Sequence, residues 1–147
     1  MELSHEPTPE EAFLDYIEQG SPFSRRNGIT IRLIEKGVAE GEVALAEERT
    51  NMFGGLHGGV YFTLADCTAG LAAMSVTGCA CSTLESTLHF LTPPQAGTLK
   101  AAARVVHAGN RTVVCNVALS TEDGKRCAQA TLVYCPYRGH EWEIPNG

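Results

Sequence analysis

Hydrophobic and polar positions alternate along two stretches of this chain, separated by one long apolar run. Phe13, Leu14 and Ile17 recur at helical spacing among Glu10, Glu11 and Glu18. That pattern predicts a short helix over 9–19, stopped by Gly20. Pro7 and Pro9 make the first eight residues a loose tail. Apolar and polar residues alternate from Ile29 to Glu35, Gly37 marks a turn, and the alternation resumes over 38–45, so a hairpin is expected. Gly54, Gly55, Gly58 and Gly59 then form a loop that brings backbone close to something. Residues 58–77 are long and apolar enough for a helix, which Gly78 ends. Beyond it, four strands are expected over 82–92, 98–107, 111–121 and 125–135. In the first of these, Leu84, Leu88 and Phe90 share one side, while Thr83, Glu85, Thr87 and His89 share the other. Gly109-Asn110 and Asp123-Gly124 are turns, and Pro93-Pro94 and Pro136 end their strands.

The order is therefore helix, two strands, one long helix, four strands. An antiparallel sheet of this kind needs one face covered, and the single long helix is the natural cover. This is an α+β chain of the hotdog type, a sheet wrapped round one central helix. It divides into a tail and short helix over 1–26, the hotdog domain over 27–136, and an irregular tail over 137–147.

Composition narrows the function. At 147 residues with 44% hydrophobic and 19% charged content, the chain is one ordinary folded domain. Its net charge of −6 disfavours nucleic acid as a partner, but leaves room for a local basic site for a phosphorylated ligand. No apolar run approaches the ~20 residues of a membrane span. The acidic N-terminus has no apolar signal segment. A cytoplasmic protein without a membrane partner is expected. The six cysteines (Cys67, Cys79, Cys81, Cys115, Cys127 and Cys135) lack zinc-ligand spacing, so free buried thiols are expected, with no metal and no cofactor.

The long helix carries the chemistry. At about 100° per residue, Val60, Leu64, Leu71 and Ser75 form one stripe, with Cys67 nearby, that should face the sheet. Asp66 falls on the opposite side among Gly59, Phe62, Ala69, Gly70 and Ala73. This small, apolar face favours cover by a partner chain. The other reading is that small residues suit a tightly packed helix inside one subunit. An Asp in mid-helix has no capping task. It is either an edge carboxylate bonded to a neighbour or a functional group. The helix start at Leu56-His57-Gly58-Gly59 offers free N–H groups and a favourable dipole for a negative oxygen, as acyl transfer requires. His57 has an ordinary role open to it there, as a capping residue. Gly58 and Asp66 lie eight residues apart, about 12 Å of helix. Reacting groups must approach to about 3–3.5 Å. If both serve one acyl carbon, they come from different chains, through an active site shared across a homodimer.

The run Asn51-x₅-His57-Gly58-Gly59-Val60-x₃-Leu64-Ala65-Asp66, followed by Thr83-Leu84-Glu85 and Phe90-Leu91-Thr92-Pro93, resembles the PaaI-like hotdog acyl-CoA thioesterases from about Gly28 to Pro136. The resemblance implies hydrolysis of an acyl-CoA thioester to free acid and CoA. It implies Asp66 as general base or nucleophile, and Gly58 as the backbone donor to the thioester carbonyl. Asn51 and His57 would position substrate or water, and the Thr83 hydroxyl would hold the attacking water. Gly59 and Phe62 would line the substrate channel. Arg111 would meet nucleotide phosphate, although an exposed strand-end Arg is also simply a solvated charge. A tetramer built from two dimers is implied as well. No G-x-S-x-G elbow is present, and a thioester does not demand one. Two other activities fit the same fold: an enoyl-thioester hydratase or dehydratase, whose Asp-x-Asn-Pro-x-His run is absent, and a non-catalytic acyl-CoA binder, which needs none of the Asn51, His57, Asp66, Thr83 set.

Overall fold

The computed structural model describes residues 5–142. Its elements are α1 (Pro9–Glu18), α2 (Pro22–Arg26), β1 (Ile29–Glu35), β2 (Val38–Ala44), α3 (Gly58–Thr77), β3 (Cys79–Phe90), β4 (Thr98–Ala108), β5 (Val113–Thr121) and β6 (Arg126–Glu141). The six strands form one antiparallel sheet in the order β1-β2-β4-β5-β6-β3. The sheet wraps α3, which touches all six strands. This is the hotdog arrangement expected from the order of elements.

Local chemistry explains the ends of α3. His57 is its N-cap, and Gly78 at φ 71° closes its C-terminus. Between them the helix is apolar on nearly every side, as a helix enclosed by a sheet must be. Leu64 and Leu71 have no exposed surface, and burying each contributes about 1.5–3 kcal/mol. By length and apolarity alone α3 passes as a membrane span, contrary to the expectation that no run approached that size. Here it is the core helix of the sheet. Ser75 fastens it to the β1–β2 turn by accepting the Gly37 N–H at 2.8 Å.

Four expectations change. The loose tail expected over the first eight residues does not reach Thr8, which caps α1 in a reciprocal capping box with Glu11; residues 1–4 lie outside the described residues. Pro136 does not end the sheet. It pairs with Cys81, the chain makes an excursion past Gly139 (φ 89°), and Glu141 re-pairs with Cys79. Pro136 lies beyond the last β5 partner, where β6 is paired on one side only and a missing N–H is tolerated. The irregular tail expected over 137–147 is thus strand as far as Glu141, and 143–147 lie outside the described residues.

The small-residue face of α3 is the third change. Ala69, Gly70 and Ala73 are buried within the chain. The Cys115 thiol donates to the Ala69 carbonyl, and Gly70 lies against Met74 and Tyr134. That part needs no partner chain. Gly59, Phe62 and Asp66 keep exposed surface. The fourth change is in β3. The register slips between Thr83 and Glu85, so Leu84 is an extra, bulged residue and is 59% exposed. Thr83, Ser86, Leu88 and Phe90 pair with Tyr134, Leu132, Ala130 and Ala128, all of them buried. Directly paired residues share a sheet face, so Thr83 and Leu88 lie on the same side, not on opposite ones.

Candidate active site

Asp66 projects from the middle of α3 toward β3 and β6. Its Oδ1 accepts hydrogen bonds from Thr83 Oγ1 at 2.8 Å and Tyr134 OH at 2.9 Å. The Tyr134 hydroxyl also lies 2.8 Å from the Asp66 carbonyl. The Thr83 hydroxyl, with the Tyr134 hydroxyl whose one proton is shared between Oδ1 and the Asp66 carbonyl, fixes the carboxylate rotamer, and among the described residues Oδ2 has no partner. Burial, and then the charge of Asp66, push the Tyr134 hydroxyl far above its ordinary value, so it stays a donor at any working pH. Tyr134 was not singled out from the sequence. In a strand of alternating residues it reads as one more core aromatic, and only the fold brings it to a residue 68 positions away.

The loop before α3 forms a second cluster. Asn51 Oδ1 accepts the N–H groups of Phe53 and Gly55 at 2.9 and 3.1 Å, and its own N–H donates to the Gly55 carbonyl. Asn51 therefore shapes the glycine loop. His57 Nδ1 accepts the Gly59 N–H at 2.9 Å, which makes the imidazole a helix cap and leaves Nε2 as the protonated nitrogen of the neutral ring. The Val60 N–H reaches the His57 carbonyl. Among the described residues this leaves the Gly58 N–H without an acceptor, at the positive end of the α3 dipole. The Gly59 amide is already engaged, so its expected substrate contact cannot use that N–H while His57 holds it.

Phe90 covers this end of the helix. Its ring stands edge-on to Tyr61 at 5.1 Å and to Phe62 at 6.1 Å. A side chain at Gly58 would come within 3.2 Å of it. Phe62 thus belongs to the helix-start cluster, one turn before Asp66. Arg111 sits exposed in the β4–β5 turn, next to the row Ala108, Val113, Tyr134, Thr83 that crosses the sheet. The structure joins Asp66 to Thr83, ties Asn51 to the Phe53–Gly55 turn, and ties His57 to the first turn of α3. Within one chain it does not join the two clusters.

A cavity of about 570 Å³ opens beside Asp66, Thr83 and Tyr134, and Ile17 and Ile31 are also among its lining residues. Burial, with the nearby Asp66 charge, pushes the Cys67 thiol on its wall up to about 11, so that thiol is a poor nucleophile at neutral pH. Among the described residues no group of three His, Cys, Asp or Glu side chains is arranged to hold a metal ion. A carboxylate with one free oxygen beside a cavity, and an unpaired amide at a helix start, are the parts needed to activate water and to stabilise an acyl oxyanion.

The family model of the thioesterase superfamily matches residues 53–128, from the glycine loop into β6. The chain belongs to the thioesterase superfamily, and the enzyme is a PaaI-like thioester hydrolase of the hotdog fold. It is 34% identical over 102 residues to acyl-coenzyme A thioesterase PaaI of Escherichia coli, across 69% of this chain and 72% of that one. It is 35% identical over 105 residues to 1,4-dihydroxy-2-naphthoyl-CoA hydrolase of Listeria monocytogenes, across 67% and 81%. The solved structure of the PaaI protein from the E. coli phenylacetic acid degradation operon matches with a TM-score of 0.81 and 26% identity, covering 90% of this chain and 96% of that one.

Proposed function

We propose that this enzyme hydrolyses acyl-CoA thioesters to free acid and CoA, at a site assembled from two protomers. Asp66 Oδ2 takes a proton from water, or attacks the thioester carbon itself, while Thr83 and Tyr134 hold Oδ1. The Gly58 N–H of the second protomer receives the developing oxyanion. Asn51 and His57 keep that amide in place by ordering the loop around it. Phe62 lines the passage between the two clusters, and Arg111 meets a CoA phosphate at the rim.

The observation that carries this reading is the split site. Among the described residues Asp66 and Gly58 each have one unpartnered polar group, yet they stand about 12 Å apart along the same helix. Two antiparallel copies of α3 about a two-fold axis would bring each carboxylate to the other's helix start. The free edge of the sheet supports such pairing: β3 is the last strand in the order, is 12 residues long, and carries exposed Leu84 and Phe90. An unprotected edge of that length invites a second copy. The names of the curated relatives support CoA thioesters as the substrate class. We further assign a pair of such dimers, a homotetramer, and a cytoplasmic location.

The test is release of free thiol from acyl-CoA, followed with a thiol reagent. Asp66→Asn keeps the shape and the Thr83 and Tyr134 contacts but removes the base, and should lose at least about 10³-fold in kcat. An Asn variant as fast as the parent would remove Asp66 from the chemistry.

A further inference from the structure

One wall of the cavity beside Asp66 comes from a part of the chain that carries none of the thioesterase motif: α1, α2 and the turn between them. The segment is firmly built. Gly20 turns the chain at φ 76°, where a side chain would meet Ser24 Oγ at 2.7 Å. Ser21 caps α2 by accepting the Ser24 N–H, and the Arg25 guanidinium donates to the Gly20 and Gln19 carbonyls across the turn. Glu18 Oε1 accepts the Leu33 N–H at 2.5 Å, which ties the end of α1 to β1. Phe13 is fully buried and meets the Trp142 ring edge-on at 5.5 Å. Trp142 in turn donates its backbone N–H to the Gly78 carbonyl and stacks over Gly78 at the end of α3. Thus β1 holds α1 from one side, and the end of α3 holds it through the C-terminal strand.

We infer that the α1–α2 segment is the specificity wall of the enzyme, with Ile17 from α1 and Met74 from α3 setting the largest acyl group admitted to the cavity at Asp66. The inference rests on the thioester chemistry proposed above and adds where the acyl group goes. A volume of about 570 Å³ lies within the ~300–1,000 Å³ of small-molecule sites. Asp66, Thr83 and Tyr134 stand on its wall, where the thioester carbon must sit; Ile17, Ile31 and Met74 give it apolar lining, and Gln19, Ser21, Ser24 and Arg25 add polar lining from the α1–α2 segment. The acyl group of this protomer's site therefore lies against the protomer that supplies the carboxylate. Its partner supplies the amide. Because the wall is pinned at several points, it limits the acyl group by shape.

The experiment compares kcat/KM for acetyl-CoA, phenylacetyl-CoA and palmitoyl-CoA in the parent, Ile17→Trp and Met74→Ala, each confirmed folded by thermal melting. Ile17→Trp fills the cavity, so the phenylacetyl-to-acetyl ratio should fall at least about tenfold, the size of effect a packed pocket exerts. Met74→Ala enlarges the cavity, so the palmitoyl-to-acetyl ratio should rise by about fivefold or more. If Ile17→Trp does not fold, the Met74→Ala ratio decides. Equal changes on all three substrates, or none, would overturn the wall. If the parent turns over no thioester, the proposed function fails instead. The wall is then read from calorimetric binding of phenylacetyl-CoA relative to CoA alone, where a difference that Ile17→Trp abolishes supports it and a difference it leaves intact overturns it.

Discussion

The two-protomer site makes a numerical prediction from two silent variants. Gly58 is the first residue of α3, where a proline's missing N–H disturbs no helical hydrogen bond. His57 before it has φ −64° and ψ 134°, the extended conformation that a residue preceding proline prefers. A Cβ added at this site would stand 3.2 Å from the tip of the Phe90 ring, the far end of a side chain that can shift. Gly58→Pro therefore deletes one backbone donor while the helix start stays intact. Loss of such a donor should lower kcat by about 10²–10³-fold, or about 2.7–4 kcal/mol. Asp66→Asn protomers are inactive for the separate reason given above. When the two variants are unfolded together and refolded, half of the dimers are mixed. Each mixed dimer has one site with both defects and one site with neither. Thiol release should return to about a quarter of the parent rate, although each variant alone is near background. Recovery that stays at background while size exclusion and crosslinking show mixed dimers would mean that Gly58 and Asp66 do not serve one site from two chains.

Three further outcomes follow from the packing. Tyr134→Phe keeps the ring beside Gly70 but removes the hydroxyl that reaches Asp66 Oδ1 and the Asp66 carbonyl. A hydrogen bond to a charged group is worth about 1.5–3 kcal/mol, so steady-state kinetics should show kcat down about tenfold or more with KM little changed, and an unchanged kcat would leave the hydroxyl with a packing role only. Gly41→Ala places a Cβ 2.2 Å from Thr68 Oγ1 and 3.1 Å from Leu64 Cδ1, so urea unfolding should show a loss of about 1–3 kcal/mol, and a variant of parental stability would mean that α3 does not press on β2 there. Burial pushes the Cys115 thiol up to about 12 and, with the Asp66 charge, Cys67 up to about 11, from an ordinary value near 9. The unfolded chain then loses these protons first as pH rises, so their stabilising effect is whole below pH 9 and drains away toward pH 11–12. The melting temperature should fall across that window, and Cys115→Ala should flatten the fall even though it starts lower.

What the sequence reveals depends on how far apart the deciding residues lie. Both ends of α3 are legible because His57 and Gly78 act within one turn of their own positions. The hairpin of β1 and β2 is legible because alternation and the turn at Gly37 are local as well. Asn51, His57 and Gly58 can be picked out as a glycine-rich helix start, although the cap geometry that occupies the Gly59 amide needs coordinates. Coverage of a face is different in kind. Ala69, Gly70 and Ala73 look like a seat for another chain until β6, β5 and the bulk of Tyr134 are placed against them. The role of α1 is hidden for the same reason, since Ile17 meets the Asp66 cavity only after β1 and Trp142 have fixed the helix.

The bulge at Leu84 is the sharpest case. Strict alternation puts Thr83 on the face opposite Leu88, Phe90 and the helix, which would aim its hydroxyl away from Asp66. A single extra residue reverses the phase, because side chains on a strand repeat with a period of two. Residues before the bulge and residues after it then face α3 together: Thr83 reaches the carboxylate, and five positions later Leu88 still packs on the core. Without the slip, β3 could pack Leu88 on the core or present its hydroxyl to Asp66, but not both. The irregularity that misleads a reading of the strand from its sequence is therefore the feature that completes the carboxylate's hydrogen bonding. Deleting Leu84 would leave Thr83 four positions from Leu88, in phase on a regular strand, so thiol release from acyl-CoA should survive the deletion; loss of turnover would mean that the bulge itself, and not the phase it sets, serves the site.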